Sequence, residues 1–326
     1  MSQLHVKTHT DGIWISAERE KQIVKRLHQS IMDAGFAPVV QNSNNYGYPY
    51  IYQRNNTTLN CRLVDSVFMT DSGAFDNKSA VVVTDNHPNI SIAGRLISTL
   101  PEFWSIWHFV PEYVDRPCVK NFNCFMNRAR PERSIVFYEL IKRNLLDQGI
   151  VSYNCQATEY EKIFAESYLQ NYSQQHQSGL GLVPYNTVEC HGTLEQCIID
   201  SKISLIMETY TSDSHIVFSE KLFRALQLPR PWLLYCSPGS VALLRSQGFD
   251  VLDDYVDHGY DNIEPHHVRL TSILDQLEIS VEYAYNQQDY SRFNQASEHN
   301  QKLLQQLQQD WPAKWQKVLE EITKLD

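Results

Sequence analysis

The sequence lacks the common glycine-rich loops that bind phosphate groups. Gly179–Gly181 is followed by Leu182, so the third glycine of a dinucleotide-binding fingerprint is missing, and no Walker A loop occurs. No Gly-x-Ser-x-Gly elbow is present either. The chain also has no Asp-x-Asp, the simplest signature of a metal-held sugar diphosphate. These absences exclude the simplest P-loop, dinucleotide-binding and serine-hydrolase interpretations.

Paired cysteine motifs are missing as well. No Cys-x-x-Cys occurs, and Cys190, His191 and Cys197 have no fourth partner at zinc-site spacing, so no metal site is predicted. An odd, scattered set of cysteines is typical of reduced, mostly buried thiols. The seven positions are 61, 118, 124, 155, 190, 197 and 236.

Long apolar runs and a basic charge balance are also absent. No window approaches the roughly 20 apolar residues of a membrane span, and the first residues do not resemble a secretion signal. We therefore expect a soluble, cytoplasmic protein without a membrane span. With 28 Lys and Arg against 38 Asp and Glu, the formal charge of -10 disfavours general binding to nucleic acids or anionic membranes. One local basic pocket remains compatible with this average.

The composition is that of a large globular protein. Of 326 residues, 42% are hydrophobic, which is enough for two domains with substantial cores. Strands alternate with helices in the middle of the chain, a pattern typical of parallel, Rossmann-like layers. We predict an N-terminal α/β domain over 1–115, a ligand-binding α/β domain over 116–262, and C-terminal helices over 263–326.

The middle region has the clearest alternation of predicted elements. A strand–loop–helix–strand unit begins at Val119, and further strands and helices follow to Cys236. The predicted elements are strand 119–126, helix 134–146, strand 149–153, strand 203–207, helix 219–226 and strand 231–236. In the N-terminal region, compact apolar runs at 66–70 and 80–84 predict strands that each end next to an aspartate.

An arginine-rich loop follows the first of these middle strands. Arg128, Arg130 and Arg133 lie within six positions, between a predicted strand end and a predicted helix start. Helix N-termini favour anions, and guanidinium groups bind phosphate in a bidentate manner. The segment therefore predicts an anion site. The alternative is surface ion pairing with Glu132 and Glu139.

A second polar constellation follows the strand at 203–207. The strand delivers Glu208 to the carboxyl edge of the sheet, and a helix starting near Ser219 places Glu220 and Lys221 in its first turn. A Ser/Gly turn with Ser240 then precedes another helix. Helix N-termini, a lysine and hydroxyls are suited to a diphosphate, and a carboxylate is suited to sugar hydroxyls.

These two segments resemble the donor-binding half of GT-B glycosyltransferases, most closely the fucosyltransferase-like and exostosin-like group and its divergent viral and bacterial relatives. The similarity covers about 118–262. It rests on the Asn-Arg-Ala-Arg-Pro-Glu-Arg segment of 127–133, on the Phe-Ser-Glu-Lys-Leu-Phe-Arg-Ala-Leu segment of 218–226, and on the Gly-Ser turn after the next strand. The resemblance implies a GT-B-like fold: two facing Rossmann-like domains with a helical C-terminal extension, which returns to the first domain in this fold.

The resemblance also implies roles for individual residues. Arg128 and Lys221 would neutralise the donor diphosphate, Glu208 and Glu220 would bind ribose or sugar, and Ser219 would donate to phosphate. The further donor-binding residues implied are Asn127, Arg130, Arg133 and Ser240. The implied partner is a nucleotide sugar bound without a metal or other cofactor, because positive charge stabilises the leaving diphosphate.

An inverting transfer would need a general base from the N-terminal half. Asp71, Asp85 and His87 lie just beyond predicted strand ends and are the candidates. Three other readings stay open: a non-catalytic nucleotide-sugar-binding or scaffold protein on the same fold, a nucleotide-sugar isomerase or phosphosugar enzyme, and a transferase whose acceptor is a nucleic-acid base. The acceptor, the donor sugar and the stereochemistry are not specified by the sequence.

Overall fold

The computed structural model divides the chain into two compact units, which we treat separately. Unit 1 comprises Met1–Val6, Val110–Thr211 and Arg224–Asn300, and unit 2 comprises Lys7–Phe109, Ser212–Phe223 and Gln301–Asp326. The residues that the structure describes are 28–29, 32–33, 35–38, 51–54, 57–62, 80–84, 87–88, 95–98, 110–126, 131–153, 185–186, 194–208, 211, 215–216 and 218–323. Of the predicted strands, 66–70 lies outside this set.

The strands and helices alternate over much of the described chain. The strands are β1 Ala37–Pro38, β2 Ile51–Arg54, β3 Thr57–Arg62, β4 Ala80–Thr84, β5 His87–Pro88, β6 Arg95–Ser98, β7 Lys120–Met126, β8 Gly149–Tyr153, β9 Tyr185–Asn186, β10 Ser201–Met207, β11 His215–Ile216 and β12 Trp232–Tyr235. The α-helices are α1 Pro131–Lys142, α2 Leu194–Ile199, α3 Glu220–Leu226, α4 Ser240–Ser246, α5 His266–Glu282 and α6 Gln287–Thr323. Single 3₁₀ turns occupy Leu146–Gln148 and His258–Asn262.

Unit 1 is built on a five-stranded sheet. Its order is β12-β10-β7-β8-β9, with β12, β10, β7 and β8 parallel and β9 antiparallel at the edge. The interior strand β10 is buried at nearly every position, as expected when helices cover both faces of a parallel sheet. The expected α/β class with a parallel sheet and helices is therefore confirmed.

The helices of unit 1 cover the sheet in two groups. Arg143, directly after α1, forms ion pairs with Asp275 and Glu278 of α5, at 2.7 and 3.3 Å, so the end of α1 lies next to α5. Arg224 of α3 lies 3.3 Å from Glu195 of α2, so α2 and α3 form the second group of neighbouring helices. From β7 to β8 the chain moves across the sheet towards β9, and from β8 to β10 and β12 it moves back towards the other edge. Because crossovers between parallel strands are right-handed, α1 and α2, which belong to connections of opposite direction, lie on opposite faces of the sheet.

Local sequence explains where α1 begins and ends. Pro131 occupies the first turn, where a missing amide hydrogen costs nothing, and Glu132 and Lys142 match the helix dipole at its two ends. Asn144 then takes a left-handed conformation with φ 54°, which stops the helix. The chain continues into β8 at Gly149, where an added Cβ would lie 2.4 Å from the Phe122 ring.

The first part of α6 is fastened to a loop of unit 1. The side-chain amide of Asn300 donates to the backbone carbonyls of Leu226 and Asp250, at 3.1 and 3.0 Å, and its oxygen accepts from the Asp250 amide at 2.8 Å. Arg292 pairs with Asp250 and Asp254, at 2.8 Å in each case. Burial opposes ionisation of Asp250, but the bonds from Arg292 and the Leu252 amide outweigh it and lower the pKa of this carboxyl.

Unit 2 contains a mixed sheet and a short ribbon. The sheet order is β1-β2-β3-β4-β6, antiparallel from β1 to β3 and parallel from β3 to β6. The strand predicted at 80–84 is confirmed as β4. A two-stranded antiparallel ribbon pairs β5 with β11, which joins residues far apart in the sequence. Among the helices that the structure describes, none combines the length and apolar composition of a bilayer-spanning segment.

Candidate functional site at the sheet edge of unit 1

The strand order of unit 1 reverses between two neighbouring strands of the sheet. The chain passes from β7 to β8 on one side and later continues from β10 to β12 on the other, so the direction of the connections reverses between β7 and β10. In open α/β sheets, the carboxyl ends of the two strands at such a reversal diverge and form the usual ligand site. The residues that follow β7 and β10 are therefore the expected ligand-binding residues of this sheet.

The structure brings two of the predicted site residues to this edge. Arg133 is in the first turn of α1, is 3% exposed, and its Nη2 lies 3.4 Å from the carbonyl oxygen of Met207, the last residue of β10. Glu208 is the next residue; it is equally buried, and its amide donates to the Tyr235 carbonyl at 3.0 Å. A guanidinium from α1 and a carboxylate that follows β10 thus both lie at the carboxyl end of β10, and the roles assigned to them stay predictions.

The buried groups around Arg133 are not suited to nucleophilic chemistry. Burial raises the pKa of the Cys124 thiol on β7 to about 12, although the Arg133 charge opposes this effect, so the thiol stays protonated at neutral pH. The Ser134 hydroxyl lies 2.6 Å from the Tyr153 hydroxyl, and the Tyr153 ring stacks on Phe137 at 4.8 Å. These contacts fix the start of α1 against the end of β8.

The hydrogen-bonding groups of the Ser/Gly turn before α4 find their partners within the protein itself. Gly239 takes a left-handed conformation with φ 78°, and Ser240, which is 1% exposed, donates its hydroxyl to the Ser237 carbonyl at 2.5 Å. The amides of Val241 and Ala242 donate to the two carboxylate oxygens of Asp261, at 3.1 and 2.9 Å. The anion at this helix start is therefore a side chain of the protein. Sequence reasoning missed Asp261 because it lies on a separate 3₁₀ turn.

The predicted Ser-Glu-Lys segment opens α3 and belongs to unit 2. The Ser219 hydroxyl accepts from both the backbone amide and the Nζ of Lys221, at 3.3 Å in each case. Lys221 also lies 3.3 Å from the Glu220 carboxylate. Ser219 thus acts as the N-cap expected of a serine before a helix. All three side chains are only partly buried.

The remaining predicted residues are placed only in part. His87 lies in β5, where its backbone pairs with Ile216. Asp71, Asp85, Asn127, Arg128 and Arg130 lie outside the described residues. Their assigned roles stay predictions.

A second concave surface lies beside α4, in a region where the sequence predicts no site. It is an open pocket of about 570 Å³. Its lining includes Arg245, Asp253, Tyr255, Asp257, Asn262 and Gln276. Two hydrogen bonds from Arg245, at 2.8 and 2.6 Å, lower the pKa of Asp253, and Asp257 accepts from the Gly259 amide at 2.8 Å. Its carboxylates are thus largely occupied by the protein itself.

Cysteine chemistry differs from the expectation at one position. Cys118, Cys124 and Cys236 are free, as predicted, but Cys197 on α2 is disulfide-bonded, so the expectation of reduced thiols throughout is wrong there. Pairing depends on distances through space that scattered spacing in a sequence does not reveal. Within the part of the chain that the structure describes, no group of three or more His, Cys, Asp or Glu side chains is arranged to hold a metal ion.

Comparison of the chain with protein-family models, with curated proteins and with solved structures finds no match.

Proposed function

We propose that the protein is a glycosyltransferase that binds a nucleotide sugar at the carboxyl edge of the unit 1 sheet and transfers the sugar to an acceptor hydroxyl. The observation that carries the proposal is the position of Arg133 and Glu208 at the reversal between β7 and β10. A guanidinium at that point suits a phosphate, and a carboxylate suits the hydroxyls of ribose or a sugar.

The proposal assigns the leaving-group chemistry to positive side chains. As the bond between sugar and diphosphate breaks, negative charge grows on the diphosphate, and fixed cations stabilise it most in a poorly hydrated site. Arg133 is the described residue best placed for this role. Arg128, Arg130 and Lys221 would assist, in a GT-B-like arrangement without a resident metal. Asp71, Asp85 and His87 remain the proposed general bases.

Ligand-induced stabilisation tests the donor site directly. A thermal-shift panel with UDP, GDP, ADP, CMP and their sugars should give one clear stabilising nucleotide, because a ligand at 100 times its Kd adds about 2.7 kcal/mol. Lys221→Ala is the informative variant, since the side chain is partly exposed and its loss leaves the fold intact. We expect it to reduce the shift strongly. If no nucleotide raises the Tm of the unaltered protein, the donor-site proposal is wrong.

Turnover separates the proposal from its nearest alternative. Release of nucleoside diphosphate from the stabilising nucleotide sugar, with a panel of hydroxyl acceptors, should be lost in Asp71→Asn or Asp85→Asn while the thermal shift remains. The second candidate is a non-catalytic binder of the same ligand. The internally satisfied turn at Ser240 favours it, because that turn offers a diphosphate fewer free donors. Binding without turnover under all acceptors would support this alternative.

The proposal includes a cytoplasmic location. Free thiols at Cys118, Cys124 and Cys236 fit a reducing compartment, whereas the disulfide at Cys197 fits an oxidising one. Mass spectrometry of alkylated protein from freshly lysed cells would decide between them, because a cytoplasmic protein should carry Cys197 as a labelled thiol.

A further inference from the structure

The open pocket beside α4 is lined by three segments of unit 1. Ala242 and Arg245 line it from α4, residues of 253–262 line it from the loop and the 3₁₀ turn, and Gln276 lines it from α5. Its volume of about 570 Å³ is in the usual range for a small-molecule site. The side-chain groups that the protein leaves unused in this pocket indicate which kind of ligand would fit.

Most charged groups of the pocket already have a partner. Arg245 makes two hydrogen bonds to Asp253, at 2.8 and 2.6 Å, and Asp254 pairs with Arg292 at 2.8 Å. The two oxygens of Asp261 accept from amides in the first turn of α4. A cationic ligand would have to compete with these partners for the carboxylates. The acidic residues therefore do not by themselves make this pocket a cation site.

Three polar side chains of the pocket remain available. Over the described residues, the side-chain amides of Asn262 and Gln276 have no hydrogen-bond partner. Asp257 uses one oxygen to accept from the Gly259 amide at 2.8 Å, and its other oxygen has no hydrogen-bond partner in the same ranges. A side-chain amide both donates and accepts, whereas a carboxylate only accepts. The pocket therefore offers donors and acceptors together.

The segment that presents these groups is fixed by the protein itself. Both ring nitrogens of His258 are used, at 2.8 Å from the Val251 carbonyl and 2.9 Å from the Tyr260 hydroxyl. Near the other end of the 3₁₀ turn, Asp261 is bonded to α4. A ligand loses less affinity to the ordering of the protein when its site is already formed.

The available groups discriminate between classes of ligand. An anion would be repelled by the Asp257 carboxylate, and an apolar ligand would remove water from polar groups without replacing its hydrogen bonds. A cation can donate to Asp257 but leaves the amide donors of Asn262 and Gln276 unused. A hydroxyl group both donates and accepts, so a ligand with several hydroxyls can bind all three side chains. A neutral, hydroxyl-rich ligand therefore fits best.

We propose that the pocket beside α4 binds a neutral saccharide, with Asp257, Asn262 and Gln276 as its hydrogen-bonding contacts. Ala242 and Val256 add apolar side chains to the lining, which suits the C–H groups of a sugar ring. The site goes beyond the proposed nucleotide-sugar site and does not depend on it, because its ligand carries no phosphate.

Saturation-transfer NMR of the full chain with maltose, cellobiose, lactose and chitobiose tests the proposal. Spermidine and an N-acetylated, amidated trialanine represent the cationic and peptide classes. At least one disaccharide should bind with a Kd on the order of 1 mM, because an open pocket leaves part of the ligand in water. Its affinity should be equal in about 50 and about 500 mM NaCl, since no attraction between charges is screened.

Two variants assign the binding to this pocket. Gln276→Ala and Asn262→Ala should each weaken the affinity for that disaccharide roughly fivefold, as expected for the loss of one neutral hydrogen bond. Neither side chain is buried, so both variants should fold, and their Tm values check this. Gln295→Ala is the matched control, since it removes an exposed glutamine of unit 1 outside the pocket lining, and it should leave the affinity unchanged.

The proposal is wrong if none of the four disaccharides binds, or if spermidine or the tripeptide binds more tightly than all of them. If a disaccharide binds equally well to Gln276→Ala, Asn262→Ala and the unaltered protein, the saccharide lies elsewhere and the pocket assignment is overturned. The probes contain no phosphate, so each of these results leaves the nucleotide-sugar proposal as it stands. Failure of the nucleotide thermal-shift panel would likewise leave the saccharide site unaffected.

Discussion

Buried His258 connects three segments of unit 1 through a chain of hydrogen bonds. Its Nε2 lies 2.8 Å from the Val251 carbonyl and must donate to it, so Nδ1 accepts from the Tyr260 hydroxyl at 2.9 Å. The Tyr260 oxygen in turn accepts from the Leu234 amide on β12 at 3.1 Å. Only the neutral imidazole fits this chain of bonds. Burial is the main reason that the pKa of His258 is lowered, and the Val251 bond and the Asp253 charge oppose the shift.

This arrangement predicts that stability falls in mild acid. The pKa of His258 is lower in the folded protein than its ordinary value of 6.5, so the unfolded chain binds more protons between the two values. The contribution of the neutral ring is therefore complete above pH 6.5 and is lost as the pH falls from there towards the folded pKa. Thermal unfolding from pH 7.5 to 5 should show a falling Tm, and His258→Gln should flatten that dependence.

The exposed neighbour His267 provides the control for this experiment. His267→Gln should leave the pH dependence of the Tm as it is. A Tm that falls equally in His258→Gln and in the unaltered protein would assign the acid sensitivity to other groups.

At the level of elements, α4 depends on a carboxylate from outside the helix. Asp261 is 5% exposed, and its two oxygens accept from two amides in the first turn of α4, those of Val241 and Ala242. The Asp261 carbonyl also accepts from the Gly239 amide at 2.9 Å, so the turn and the 3₁₀ segment fold as one piece. A negative charge at a helix start gains from both hydrogen bonding and the helix dipole.

Asp261→Ala should therefore destabilise unit 1 by about 2 kcal/mol, the combined effect of a lost cap and amides left without an acceptor. Asp261→Asn retains one carbonyl oxygen and should cost roughly half as much. Urea unfolding followed by circular dichroism measures both values. Equal stability of Asp261→Ala and the unaltered protein would mean that water replaces the carboxylate without cost.

The sequence predicts the strands of unit 1 well but not the side-chain contacts between distant segments. The boundaries of β8 are those predicted, and β7, β10 and β12 differ by one or two residues, because apolar runs bounded by polar turns mark buried parallel strands. Arg133 and Glu208 were predicted as site residues from their positions next to strand ends, and their roles stay predictions. Asp261 was not predicted, because it acts on a segment that is distant in the chain and the pattern of residues around it is ordinary.

At the level of the whole molecule, the two units are interleaved along the chain. Apart from Met1–Val6, unit 1 consists of Val110–Thr211 and Arg224–Asn300, which are separated by only 12 residues, whereas unit 2 needs 7–109, 212–223 and 301–326. The ribbon of β5 and β11 shows this dependence directly, since its strands come from different segments of unit 2. The two units should therefore behave differently when the chain is shortened.

A fragment of 110–300 contains every strand of the unit 1 sheet and helices α1 to α5. We expect it to fold alone with a cooperative thermal transition, because its core and its ion pairs are internal. A fragment of 1–109 lacks β11 and should show no cooperative transition. Circular dichroism melting of both fragments checks this. A fragment of 110–211, which lacks β12, is the control and should not fold; failure of 110–300 would contradict the division into units.

Interleaving also sets the order of events during protein synthesis. The first long segment to leave the ribosome, Lys7–Phe109, belongs to unit 2, yet the last segment of this unit starts at Gln301, about 190 residues after Phe109. At roughly 5–20 residues per second, its mixed sheet waits on the order of 10–40 s for the final piece. For the first part of that interval β5 also lacks its partner β11, so this strand is available for wrong pairing. The first half of this chain is therefore the part whose yield in cells should depend most on chaperones and on the speed of translation.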